Sequence, residues 1–300
     1  MCSAALERNI NMAKVKIITD SGCDISKEDE LRYKIDVMSF EVTLGDETLI
    51  ERKTCSNPEF WAKIDASEFL PKTSQITTFR FEEKFEQCAK EGYDDVIVVL
   101  INSTGSQTYA NAVQAVSNLT EEGKLGKTKI HVVDSHCYSL GYGYPVIEGA
   151  KKLEAGMSVD MVLAFMEDWF NCCEIYIIGF NLRHMKKSGR ISAAAAFLGE
   201  MLNLKPVISL IDGKSEVVKK CRGERNAVME AVSYIKSRMI PQTPWHVLTT
   251  TAGELDDLLI KTLSKETGTS PTHKEECGFV VASNAGTKFI GIIMKGVPRR

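Results

Sequence analysis

The strongest constraint in this sequence is the run Val96-Ile97-Val98-Val99-Leu100-Ile101, apolar at every position and closed by Asn102-Ser103-Thr104-Gly105-Ser106. A half-exposed strand alternates polar and apolar residues, so an unbroken β-branched run predicts a strand covered on both faces, as in a parallel sheet. Two further segments follow the same pattern. Val15–Thr19 (VKIIT) stops at Asp20-Ser21-Gly22, and Lys129–Val133 (KIHVV) stops at Asp134-Ser135. Helical stretches at 79–90, 109–119 and 144–153 are interleaved with them. Strand, polar loop, helix and strand again is βαβ grammar, which predicts an α/β fold with a parallel sheet covered by helices. In such sheets the loops beyond the carboxyl ends of the strands converge on one edge, where ligands bind. The three polar loops are therefore expected to be neighbours.

The second half predicts a helix from about Ser158, a buried strand at 175–180 and a helix at 191–202. In that helix Ile191, Ala195, Leu198 and Leu202 share one face, and alanines 193–196 permit close packing. A hairpin is expected at 207–211 and 216–219 around Asp212-Gly213. Helices at 226–238 and 254–265 and strands at 246–250, 279–282 and 289–294 complete a mixed unit. At 300 residues and 44% hydrophobic content the chain is sized for two domains. The predicted division is an N-terminal α/β domain at 14–155 and a C-terminal α/β domain at 156–300. Residues 1–13 read as an extension, disordered or ahead of an alternative start at Met12.

Several function classes lose their support. There is no G-x-x-x-x-G-K-[ST] and no G-x-G-x-x-G, since Gly141-Tyr142-Gly143 lacks the third glycine. A net charge of −3 gives no basic field for nucleic acid. No apolar run reaches the ~20 residues of a membrane span, and the start lacks a signal-peptide pattern, so a cytoplasmic location is expected. The nine cysteines form no C-x-x-C pair or zinc ladder and read as reduced, mostly buried thiols. His131 and His136 are not in an H-E-x-x-H setting, so no metal is expected.

What stands out is the density of small polar side chains at strand ends: Ser21, Asn102, Ser103, Ser106 and Ser135, joined by Thr73-Ser74-Gln75. Such groups hold a carboxylate with little bulk and no formal counter-charge. The competing reading is that each caps the helix after it. A basic stretch, Arg183 to Arg190 followed by Lys205, Lys219, Lys220, Arg222 and Arg225, is either solvated surface or a dock for an acidic partner or phosphate.

From about Lys14 onward the sequence resembles the DegV family, the fatty-acid-binding proteins that serve bacterial fatty acid kinase. The resemblance is carried by Ile18-Thr19-Asp20-Ser21, Thr73-Ser74-Gln75, Ser106-x-Thr108-Tyr109, Asp134-Ser135, Ser188-Gly189-Arg190-Ile191-Ser192, Lys205-Pro206-Val207 and Arg222. It implies two α/β domains with a long-chain fatty acid buried between them and its carboxylate on Thr73 and Ser106. Ser74, Ser103 and Asn284 are the further candidate carboxylate contacts. Asn284 stands where the family usually has a histidine, and an amide carries no charge or proton at neutral pH. The family's glycine after the serine is Gln107 here. Arg190 and Arg222 match arginines that face the kinase or its phosphate. The resemblance thus implies a non-catalytic carrier without a cofactor, whose partners are the fatty acid and a fatty acid kinase that makes an acyl phosphate; transient membrane contact is compatible with it. Two other readings stay open: a lipid- or small-acid-sensing regulator without a kinase, and a hydrolase using Ser106 or Ser103. Chain length and saturation of the lipid are not encoded in the sequence.

Overall fold

The structure is a computed structural model describing residues 13–197, 204–250 and 253–298. The extension expected at 1–13 falls almost entirely outside the described residues, as does the second half of the helix expected at 191–202.

Strands β1 (Val15–Asp20), β2 (Asp36–Met38), β3 (Glu41–Leu44), β4 (Glu47–Ile50), β5 (Lys72–Ser74), β6 (Asp95–Leu100) and β7 (Lys129–Asp134) belong to the first unit. Its helices are α1 (Lys27–Arg32), α2 (Asn57–Ala66), α3 (Thr78–Lys90), α4 (Thr108–Glu121) and α5 (Leu140–Glu154). Helix α6 (Val159–Phe170) follows a turn at Ala155-Gly156 and packs back on α5, where the Trp169 indole donates to the Gly141 carbonyl at 2.8 Å. The three runs predicted as strands form an all-parallel sheet in the order β2-β1-β6-β7. A small antiparallel sheet, β4-β3-β5, lies beside it and was not visible in the sequence.

The second unit contains β8 (Cys173–Gly179), β9 (Leu204–Ile211), β10 (Lys214–Arg222), β11 (Trp245–Thr249), β12 (His273–Glu276) and β13 (Phe289–Lys295). Its helices are α7 (Arg183–Ser188), α8 (Glu224–Arg238), α9 (Glu254–Thr267) and α10 (Phe279–Ala285). Its mixed sheet has the order β10-β9-β8-β13-β11-β12, with β11 and β12 parallel and the other pairs antiparallel. The expected hairpin is present, and its turn residues Asp212 and Gly213 both have positive φ, the type I′ pattern that matches strand twist.

Strand alternation gives this sheet two cores. Ile175, Ile177, Ile208 and Leu210 face the cluster that continues into the first unit, whereas Tyr176, Ile178 and Val207 pack with Ala227, Val228 and Leu259 of α8 and α9. The two units therefore share one hydrophobic core across their junction.

Two expectations are corrected. Residues 279–282 are helical, not a strand: Phe279-Val280-Val281-Ala282 is a short apolar run, a pattern that does not by itself distinguish the two states. The start of the 191–202 segment is a tight 3₁₀ turn, Ser192–Phe197, tied to β10 because Ser215 Oγ accepts from the Ala193 N–H at 2.9 Å.

Candidate functional site

Polar side chains join the carboxyl ends of β1, β6 and β7, as predicted. The buried Asp20 carboxylate at the end of β1 accepts from the backbone N–H of Ile101 at 2.8 Å and of Gly22 at 3.0 Å, and from the Tyr142 hydroxyl at 2.5 Å. Asn102 Oδ1 takes the Thr104 N–H at 2.9 Å and the Thr104 hydroxyl at 3.0 Å, which folds the loop after β6 into a tight turn. Asp134, at the end of β7, accepts from the Ser103 N–H at 3.1 Å and the His136 N–H at 3.0 Å. These bonds shape the loops, and they absorb Ser21, Asn102 and Ser135. Ser21 donates to Glu51, and Ser135 Oγ accepts from the Cys137 N–H.

The loop after β6 opens onto a cavity of about 260 Å3 between the two units. Its apolar surface comes from Phe40 and Ile101 on one side and Ile177, Ile191, Leu210, Val280 and Val281 on the other. The polar surface comes from Thr73, Gln75, Ser103, Thr104, Ser106, Gln107, Tyr138, Asn284 and Arg190. A mostly apolar concavity with a few convergent donors is the usual form of a small-molecule site.

Thr73 sits on β5, opposite Val42 of β3. Ser74 follows it with the opposite facing and is exposed outside the cavity lining. Ser106 is half-buried, and its hydroxyl accepts from the Thr108 N–H at 3.2 Å and lies 2.9 Å from the Thr108 hydroxyl. Asn284 spends one amide N–H on the Val280 carbonyl at 2.8 Å and retains a second. Arg190 is exposed after the left-handed Gly189, with Nη1 donating to the Ser188 carbonyl at 2.9 Å. Arg222, the last residue of β10, is exposed and outside the lining. Thr73, Ser103, Ser106, Asn284 and Arg190 thus share one cavity; Ser74 and Arg222 do not.

Tyr138 is a site residue that the sequence did not flag. Its hydroxyl accepts from Asn102 Nδ2 at 3.3 Å, and burial pushes its pKa up. Gly105 makes room for it, since a Cβ there would lie 2.6 Å from the tyrosine oxygen. Its only sequence signal is position, four residues after the Asp134 loop.

A separate group, Asp29, His273 and Glu275, brings metal-ligand-type atoms within 4.8 Å of one another. None of the three lines the inter-domain cavity. Their separation in sequence hides them from any spacing rule. Among the described residues the cysteines form no disulfide and all but Cys55 are buried. No helix among the described residues is long and apolar enough to cross a membrane.

Comparison with known proteins gives one consistent answer. The profile described as "Uncharacterised protein, DegV family" matches residues 14–296. A DegV domain-containing protein of Clostridium perfringens is 30% identical over 226 residues, 75% of this chain and 78% of that protein. The fold matches a Thermus thermophilus structure described as fatty acid binding of a DegV family protein, with TM-score 0.82, 26% identity and coverage of 95% of this chain and 100% of that one. It also matches a fatty acid binding DegV family protein of Streptococcus agalactiae, with TM-score 0.84, 23% identity and coverage of 95% and 99%, a likeness that bears on fold alone.

Proposed function

The chain belongs to the DegV family, and from that premise we propose that it binds a long-chain fatty acid in the cavity between its two α/β units and presents the carboxylate to a separate fatty acid kinase, which converts it to an acyl phosphate. The observation that carries the reading is the cavity itself, in which an apolar surface drawn from both units meets Thr73, Ser103, Ser106 and Asn284, with Arg190 among the lining residues. Burying an alkyl chain there is favourable by about 25 cal/mol per Å2 of apolar surface, and only the head group needs polar partners. Hydroxyl and amide donors suit a carboxylate acceptor, and Arg190 adds a formal positive charge to the lining.

The carrier role, as opposed to a hydrolase, is supported by the surroundings of the serines. The hydrogen-bond partner of the Ser106 hydroxyl is Thr108, and among the described residues no histidine lines the cavity to act as base. Phosphoryl transfer onto the lipid carboxylate leaves every residue of the carrier unchanged, so a binding site alone suffices. A cytoplasmic location belongs to the same proposal.

Mass spectrometry of an organic extract from undenatured protein tests the binding step, with one long-chain fatty acid per chain expected. Protein that yields only a polar ligand, and takes up no fatty acid on incubation, would end the reading. Hydroxylamine trapping of acyl phosphate in the presence of a cognate kinase and ATP tests the second step.

A further inference from the structure

Two buried carboxylates of the first unit reach across to the second. Glu51, just after β4, accepts from the backbone N–H of Val280 at 3.1 Å, while its other oxygen takes the Ser21 hydroxyl. Asp24 accepts from the Gly278 N–H at 3.0 Å and from the Ser139 hydroxyl at 2.6 Å. Glu51 is 1% exposed and Asp24 5%. Gly278 is required where it stands, because a Cβ there would lie 2.4 Å from Glu51 Oε1 and 2.5 Å from Asp24 Oδ1. The amides they hold begin α10, which supplies Val280, Val281, Asn284 and Ala285 to the cavity.

We propose that Glu51 and Asp24 form an inter-domain latch that positions α10, and through it Asn284 and the apolar wall of the lipid cavity. They are positioning residues, since neither lines that cavity. Other contacts keep α10 docked: Phe60 stacks on Phe279 with ring centroids 4.0 Å apart, and the Trp61 indole donates to the Cys277 carbonyl at 3.0 Å. The latch therefore sets the placement of the helix start, not its attachment.

The same two acids line a second cavity, of about 440 Å3, together with Arg52, Lys27, Glu275 and Glu276. This gives the latch a route for protons. Burial pushes Glu51 up to about 7 against the opposing pull of its bond from Ser21, and burial followed by Glu51 itself raises Asp24 well above the carboxylate range. Asp20, raised to about 6, faces Glu51; Arg52 favours the charged form of Asp24; the buried Cys277 thiol also faces both acids. A closed state that raises the Glu51 pKa binds its proton more tightly than an open, solvated one. Closure is then strongest below the ordinary value of 4.5, weakens as pH rises toward about 7, and is level above it.

The affinity part of this proposal rests on the lipid-binding reading, whereas the placement of α10 does not, so two measurements on the full chain keep them apart. In lipid-free protein, amide exchange across 279–285 should quicken about tenfold or more in Glu51→Ala, the scale of one buried amide left without its acceptor, and return to within about threefold of wild type in Glu51→Gln. With cis-parinaric acid as probe, Glu51→Ala should bind about tenfold more weakly, and the decline of wild-type affinity from pH 5 to 8 should be shallower in Glu51→Gln. Wild type that fails to bind the probe sinks the lipid reading and leaves exchange to decide the latch. Unaltered exchange in α10, or acceleration spread evenly over the molecule, overturns the latch. If Glu51→Ala does not fold, Glu51→Asp keeps the carboxylate, draws it back from the Val280 N–H and carries the same comparison.

Discussion

Replacing Thr73 and Ser106 together with alanine removes two of the hydroxyls that the cavity offers to a carboxylate. A hydrogen bond to a charged group is worth roughly 1.5–3 kcal/mol, so the additive limit for two is about 3–6 kcal/mol. The geometry places the expected loss near the lower end. Ser106 is half-buried, so water can take over part of its role. A loss of about 3 kcal/mol corresponds to a Kd raised on the order of a hundredfold. Folding should survive. Ser106 Oγ accepts the Thr108 N–H at 3.2 Å, a local bond whose loss costs about 1 kcal/mol, and Thr73 lies on a short strand of the peripheral three-stranded sheet. Displacement of a fluorescent fatty acid from the wild type, both single variants and the double variant forms a cycle. If both hydroxyls meet one carboxylate, the single losses should not add. A double variant that binds within about threefold of wild type, with its thermal transition intact, would show that the carboxylate lies elsewhere.

Leu210→Trp adds bulk to the cavity wall without touching a polar group, so fatty-acid binding should fall sharply while stability drops by only about 1–3 kcal/mol, as paired binding and thermal-melt measurements would show. Arg190 lines the cavity and Arg222 does not, so Arg190→Ala should weaken both lipid binding and acyl phosphate formation, whereas Arg222→Ala should affect only the kinase assay, in a salt-dependent way. Wild-type turnover by both variants at limiting kinase would return these arginines to ordinary surface. His246 is fully buried with neither ring nitrogen hydrogen-bonded, and burial, then His273, holds its pKa well below 6.5. Its contribution to stability is therefore complete above 6.5 and lost as pH falls below it. His246→Phe, packed on Tyr144 and Trp169, should lose less stability than wild type between pH 7 and 5 in denaturant titrations; parallel losses would refute the assignment.

Elements with their own physical signature were legible in the sequence. Residues 96–100 of β6 and 175–178 of β8 form buried runs because both faces are covered, and the Asp212-Gly213 turn announces its hairpin. Strand β12 was missed because His-Lys-Glu-Glu is an edge strand whose charges keep that edge from pairing further. Helix α10 was misread because its definition is tertiary: its first amides are held by Asp24 and Glu51, more than two hundred residues away. The site was half legible. Ser103 and Ser106 follow from the rule that loops converge at strand ends and Thr73 stood out among the small polar side chains, while Asn284 was reached through family resemblance. Tyr138, Ile177 and Leu210 join the cavity through the packing of one unit on the other, which leaves no local pattern.

The placement of β13 between β8 and β11 bears on how the molecule is made. As the chain leaves the ribosome, β8 to β10 can form their antiparallel ribbon once Arg222 is made, yet the inner edge of β8 stays open until β13 begins at Phe289. An unpaired strand edge carrying a buried run such as 175–178 is a template for intermolecular association. Until residues 289–295 arrive, the second unit is a half-sheet with its most adhesive side uncovered. Synthesis halted before residue 289 should therefore leave an aggregating chain, and β13 acts as the clasp that joins the two halves of the sheet.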